Sequence, residues 1–219
     1  MQITLFTLFP DYFTSAFKTS MIGRAVEKNK IALSVVNIRD FATDKHHITD
    51  DRPYGGGPGM VLKVEPIARA LEAHSFSKGQ AQSLIVLTSA KGERFVQKNA
   101  QAWSVLERLA IICGHYEGVD ERVADYLVDC EVRIGDFVLT GGEPAAAALV
   151  DSVARLVPGV LGNDSSLLDE SHTIAGIGGF PQFTRPSDFR GWKVPESLVS
   201  GDHAAIEAWR QAQKNELTD

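Results

Sequence analysis

The chain has 219 residues, enough for one large domain or a domain with a smaller appendage. Its hydrophobic fraction of 44% and charged fraction of 23% are those of a soluble globular protein, and no apolar stretch is long enough to span a bilayer. The formal net charge of −6 weighs against a nucleic-acid partner without excluding one, because an RNA binder needs local positive potential rather than a positive total.

The N-terminus, Met1 to Phe6, has no basic leader and reads as a first strand rather than a signal peptide. Apolar, β-branched runs predict strands at Ile3–Phe9, Ile31–Ile38, Leu84–Thr88, Leu109–Cys113 and Val128–Ile134. Helical patterns alternate with them at Asp11–Phe17, Val64–Ala73, Arg94–Leu106, Val119–Leu127 and Glu143–Leu156. This alternation predicts an α/β layer with a mostly parallel sheet. Cys113 and Cys130 show no metal spacing and are expected reduced, in strands, in a cytoplasmic protein.

From Pro158 the texture changes. Gly159–Gly179 is rich in Gly, Ser and Asp and reads as a linker, after which Asp202 is positioned to cap a helix over Ala204–Gln213. The expected organisation is a catalytic domain over 1–160, a linker over 161–180 and a small helical domain over 181–219. Basic residues cluster at Lys45, His46, His47 and Arg52, and again at Arg185, Arg190 and Lys193; either cluster reads as solvated surface or as phosphate contacts.

Four stretches carry candidate chemistry. Asp51-Arg52-Pro53-Tyr54-Gly55-Gly56-Gly57-Pro58-Gly59-Met60 cannot be helix or central strand, and its glycines let backbone approach a ligand closely. It lacks the Lys-Ser/Thr close of a nucleotide-phosphate loop, and by itself reads equally as a connector. The other three are turns at strand ends, where ligands gather in parallel sheets: Ser89–Gly92, Cys113–Arg122 and Ile134–Glu143. Gly114 permits close approach and the following helix offers free N–H groups, though a capped strand-to-helix turn explains the same residues.

Taken together, Tyr54–Met60, Cys113–Arg122 and Ile134–Glu143 stand in the order and approximate spacing of the bacterial tRNA (guanine-N1)-methyltransferases of the SPOUT superfamily, which the chain resembles over nearly its whole length. Further matches are Leu8-Phe9-Pro10, Gly23-Arg24-Ala25, Arg39-Asp40-Phe41, Arg155 through Gly162, Pro181 through Pro186 and Leu198 through Ala204. The resemblance implies a SPOUT-type trefoil-knotted α/β domain plus a small C-terminal helical domain, in a homodimer whose active site lies between subunits. It implies S-adenosylmethionine held by Leu87, Thr88 and Ser89, by Gly114, Tyr116 and Glu117, and by Ile134, Gly135, Asp136, Phe137, Val138, Leu139, Gly141 and Gly142. The implied substrate is tRNA, methylated at N1 of guanosine 37, just 3′ of the anticodon, with Tyr54, Gly55, Gly56, Gly57, Pro58, Gly59, Met60 and Arg185 in its binding. Mg²⁺ dependence is a family expectation, and no residue cluster forms a recognisable metal cage.

Methyl transfer to N1 must remove the N1 proton and place negative charge on O6, so a cation near O6 and a carboxylate near N1 are the expected pair. Arg155 matches the family's arginine for the first role. The family's proposed base precedes a glycine in the linker, and there this chain has Ala175 before Gly176. Asp169, Glu170 and His172 are the nearby substitutes, with Asp169 the first choice. The departure leaves a rival: a non-catalytic relative that binds S-adenosylmethionine or RNA and has lost the base. A second rival, a nucleotide-phosphate enzyme using Gly55–Gly59, lacks the Lys-Ser/Thr pair. Smaller departures are Ala90 where a proline is usual and Pro144 where leucine is common. The chain also stops without the basic Thr-x-x-Arg-Arg-Pro segment expected at the family's end, removing phosphate contacts.

Overall fold

The computed structural model describes residues 1–161 and 170–217. The chain separates into two compact units, Met1–Gly162 and Asn163–Asp219.

The first unit is built on five parallel strands: β1 (Gln2–Thr7), β2 (Ala32–Asn37), β5 (Ser83–Arg94), β6 (Arg108–Cys113) and β7 (Cys130–Arg133), in the order β2-β1-β6-β5-β7. The three central strands are buried on both faces, as continuous apolar runs in a parallel sheet require. Alternation along β6 splits the core in two. Leu109, Ile111 and Cys113 belong to one layer with Ile3, Leu5, Val86 and α5 (Glu143–Ala154), whereas Ala110 and Ile112 belong to the other with Phe6, Ile85, Leu87 and α2 (Val64–Ala73). Burial pushes the Cys113 thiol well up, and that of Cys130 up to about 11. Both cysteines are free and lie in strands, as expected.

Helices α3 (Gln97–Ser104) and α4 (Glu121–Tyr126) lie inside the predicted ranges, and α2 matches its range. Three differences have physical causes. Asp11–Phe17 is not a helix but a 3₁₀ turn at Pro10–Phe13, because the rings of Phe13 and Phe17 satisfy the apolar spacing by stacking at 5.3 Å. Helix α1 (Ser20–Glu27) is not predicted, because Gly23 in its middle weakens the local helical signal. There the glycine is required, since a Cβ would lie 2.7 Å from the carbonyl oxygen of Lys18. Strand β5 runs past Thr88 to Arg94, because Thr88 and Glu93 both pair with Val132 and residues 89–92 bulge out between them. A short pair, β3 (Asp50–Asp51) and β4 (Val61–Leu62), brackets the glycine loop.

The second unit holds a hairpin, β8 (Asp188–Phe189) and β9 (Trp192–Lys193), a one-turn helix α6 (Glu196–Val199) and α7 (His203–Gln213). Asp202 caps α7 as expected, accepting from the backbone N–H of Ala204 at 2.9 Å. The segment before the hairpin is tied to the end of the chain: Gly178 donates to Asn215 O at 2.8 Å and Leu217 to Gly176 O at 2.7 Å. Among the described residues no helix is long and apolar enough to cross a membrane.

Candidate functional site

The turns leaving β5, β6 and β7 are stitched together at the C-terminal ends of their strands. Thr88 Oγ1 donates to Ile112 O at 3.2 Å and accepts from the N–H of Gly114 at 3.1 Å. Gly142 donates to Gly114 O at 2.7 Å, and His115 bridges to Gly141 in antiparallel fashion. Such close approach demands glycine. A Cβ on Gly142 would lie 1.9 Å from Thr88 Oγ1 and 2.7 Å from Gly114 N, and one on Gly114 would lie 2.7 Å from Thr88 O.

The stitched turns enclose a cavity of about 450 Å³, within the usual range for small-ligand sites. Leu87, Thr88, Ser89, Gly114, Tyr116, Glu117, Ile134, Gly135, Phe137, Val138, Leu139, Gly141 and Gly142 all line it. Asp136 is not on the wall: its carboxylate is exposed and bound to Arg133 Nε at 2.8 Å, which holds it below the usual carboxylate range. Arg133 also donates to Gly92 O, so one guanidinium fastens the β5 bulge to the turn after β7.

Other wall residues were not singled out by the sequence as ligand contacts, although Lys91, His115 and Glu121 lie within the turns it marked. Lys91, in the bulge, pairs with Glu121 at the start of α4, which raises the Lys91 pKa, and stands 3.7 Å from Glu131. These three residues lie far apart in sequence, and the bulge alone brings them together. Glu117, Glu121 and Glu131 outnumber Lys91 and Arg133 on the wall, leaving it net acidic. His115 sits against Phe9 at 4.9 Å and Tyr116 at 4.7 Å, with its Nδ1 buried and unpartnered.

The glycine loop is docked on this site. Glu117 donates from its backbone to Met60 O at 3.1 Å, Leu62 to Gly118 O at 3.0 Å and Asp120 to Leu62 O at 2.9 Å. Gly59, at φ +78°, passes so close to Glu117 that a Cβ would fall 2.4 Å from its Cγ. At the other end of the loop Tyr54 stands fully exposed. None of Tyr54 through Met60 lines the cavity itself.

Arg155 is the half-buried C-cap of α5 and is not on the cavity wall. Arg185 lies in the second unit, on a groove of about 600 Å³ with Phe183, Trp209 and Arg210. Ala175 is exposed in a turn where His172 donates from its backbone to Ile177 O at 2.8 Å and Thr173 Oγ1 to Glu170 O at 2.8 Å. Asp169 lies outside the described residues. Among the described residues no group of three or more His, Cys, Asp or Glu could hold a metal ion.

Comparison with known proteins identifies the family. The family described as tRNA (Guanine-1)-methyltransferase TrmD matches residues 1–219. The chain is 50% identical over 213 residues to a tRNA (guanine-N(1)-)-methyltransferase of Dehalococcoides mccartyi, covering 97% of this chain and 85% of that protein. It is 49% identical over 210 residues to the protein of that name from Brevibacillus brevis, covering 96% and 85% respectively. With that of Carboxydothermus hydrogenoformans the identity is 49% over 213 residues, covering 97% and 82%.

Proposed function

The chain belongs to the tRNA (guanine-1)-methyltransferase family, and from that premise we propose that it transfers a methyl group from S-adenosylmethionine to N1 of the guanosine just 3′ of the tRNA anticodon. The observation that carries the reading is the cavity among three glycine turns locked to one another by hydrogen bonds.

The residues present fit the methyl donor. Glycines at 114, 141 and 142 keep the wall at backbone depth, so main-chain groups can read a nucleoside without side chains intervening. The acidic wall suits a ligand carrying a sulfonium and an ammonium, and Phe137 through Leu139 offer apolar contact. When bound, S-adenosylmethionine supplies an electrophilic methyl group, so this chain's task is alignment and the activation of N1. In this reading Glu117, on the cavity wall, would help hold the cationic donor, Arg155 would stabilise the charge on O6, and a linker group would take the N1 proton. The glycine loop, fixed to the backbone of Glu117 through Met60 O, carries Tyr54 toward RNA.

The reading includes a homodimer with a shared site. Two features support it: Arg155 lies off the cavity wall, and Phe137 and Val138, which are on that wall, are left largely exposed, as a site completed by a second subunit would require. The trefoil knot and a tRNA-binding role for the second unit belong to the same proposal.

The test is methyl transfer from labelled S-adenosylmethionine to tRNA transcripts carrying G or A 3′ of the anticodon, with nucleoside analysis of the product. The expected result is 1-methylguanosine from the G transcript and no transfer to A. Donor binding without transfer to G would instead support the non-catalytic reading that Ala175 favours.

A further inference from the structure

The β8–β9 hairpin holds two aromatic side chains in solvent. Trp192 is 71% exposed and Phe189 50%, although aromatic side chains of this size normally gain most from burial. The hairpin has only two residues per strand, which is marginal by itself, yet it is tightly closed. Val194 donates to Ser187 O at 2.9 Å, and Gly191 donates to Asp188 Oδ1 at 2.8 Å across a turn with Arg190 at φ +58° and Gly191 at φ +85°. The turn therefore presents these rings rather than leaving them loose.

Cations accompany the rings. The Arg190 guanidinium lies 5.1 Å over Phe189, whose ring meets Trp192 at 5.8 Å and 62°. Lys193 is exposed beside them. The one carboxylate in the hairpin, Asp188, is spent on the turn, and Glu196 lies beyond its base. Ser187 and Val194, which close the hairpin, also line the groove with Arg185, Arg210, Phe183 and Trp209, so basic and aromatic groups continue from one feature to the next. In a chain of net charge −6 this is a local concentration of cations among π-faces.

We propose that the hairpin is a stacking platform for an unpaired RNA base, with Trp192 taking the base's π-face, Phe189 buttressing it and Arg190 with Lys193 holding the adjoining phosphates. Stacking on an indole needs no base identity, only a base free of its helix, and the cations add a salt-dependent grip. The inference rests on the reading of tRNA as substrate and assigns that RNA a contact outside the methyl-transfer cavity.

The test compares the full chain with Trp192→Ala and Trp192→Phe in binding a tRNA transcript and a blunt RNA duplex without loops. Trp192→Ala is expected to weaken tRNA binding roughly 5- to 100-fold, the effect of losing one base–aromatic stack, while Trp192→Phe retains most of the affinity. Neither change should alter S-adenosylmethionine affinity or duplex binding. The double variant Arg190→Ala/Lys193→Ala should reduce the slope of log affinity against log salt by about 2. Unchanged tRNA affinity in Trp192→Ala overturns the proposal, as does an equal loss on the duplex. A change of oligomeric state in Trp192→Ala also overturns it, making the hairpin a subunit contact. If the wild type binds tRNA without methylating it while Trp192→Ala loses binding, the platform stands and the methyltransferase reading fails. If the wild type methylates and Trp192→Ala keeps its KM for tRNA, the reverse holds.

Discussion

Thr7 Oγ1 donates a 2.7 Å hydrogen bond to Glu143 Oε1, joining the end of β1 to the first residue of α5 across 136 positions. The carboxylate is only 4% exposed, and its position at a helix N-terminus favours negative charge. Thr7 in turn accepts from the backbone N–H of Phe9 at 2.9 Å, so one hydroxyl fixes both the strand end and the helix start. Because Gly141 and Gly142 immediately precede Glu143, the bond also anchors the third turn of the cavity.

Thr7→Val keeps the shape and removes this donor and acceptor. Leaving a buried carboxylate short of a partner is expected to cost about 1–3 kcal/mol in unfolding free energy. Denaturant titration measures this directly, and calorimetry should show weaker S-adenosylmethionine binding. An unchanged midpoint would mean that the Thr7 bond contributes nothing net to holding α5.

Gly142→Ala tests the stitching of the turns. Its new Cβ would meet backbone at Gly114 N and Cys113 Cα as well as the Thr88 hydroxyl, so rotating one side chain cannot relieve the clash. The turns must part, and a misplacement of about 1 Å is expected to cost about 10²-fold in transfer rate. Circular dichroism should still show a folded α/β protein. Wild-type kinetics in this variant would place the methyl donor elsewhere.

The pair Asp120–Arg122 gives a prediction with a definite sign. Asp120 caps α4 through the N–H of Arg122 at 3.0 Å, and the Arg122 guanidinium, reaching it at 2.7 Å, draws its pKa below the usual 3.8. A carboxyl with a depressed folded pKa adds stability above its unfolded pKa and loses it as pH falls through the folded one. Asp120→Asn keeps the cap and removes the charge. It should be slightly less stable than wild type at pH 7, by an amount typical of an exposed ion pair, and equal to it once the pH has fallen below the depressed folded pKa of Asp120. Urea titrations at both pH values decide this, and a difference that persisted at low pH would assign the effect to the cap.

The elements legible in the sequence are those with a strong local pattern. Strands β1, β5 and β6 announce themselves because both faces are apolar, and α2 because its buried residues Ile67, Ala70 and Leu71 recur at helical spacing. The cavity's backbone wall was legible because glycine at 114, 141 and 142 is a steric requirement written as a residue type. Hairpins with two-residue strands, such as β3–β4 and β8–β9, have no length over which a period can show. The meeting of Lys91, Glu121 and Glu131 was not legible for another reason: it depends on a four-residue bulge opposite Val132, a tertiary event without a local signature. Asp136 belongs to the turn over 134–142, whose other residues line the cavity, yet Arg133 turns it outward.

The last prediction concerns the proton on N1. Ala175, exposed at the position where the resemblance places the family's base, offers only a methyl group, which cannot accept a proton. If Asp169, Glu170 or His172 takes over, alanine substitution at that residue should lower the transfer rate by about 10²–10⁴-fold, the usual contribution of a positioned base, while the other two changes do little. Asp169 is ranked first because it keeps the family's acidic chemistry. Glu170 and His172 share the turn with Ala175, where the backbone of Thr173 donates to Glu170 O at 3.2 Å and that of His172 to Ile177 O. Single-turnover assays on a G-containing transcript separate the three. A histidine base would show a rate rising through neutral pH, whereas a carboxylate would give a flat profile there. Ala175→Asp supplies the control: it should leave the rate unchanged or raise it. Wild-type rates in all three alanine variants would show that the proton leaves to water or to a group outside the linker. Activity appearing only in Ala175→Asp would identify the natural chain as a binding protein that has lost its base.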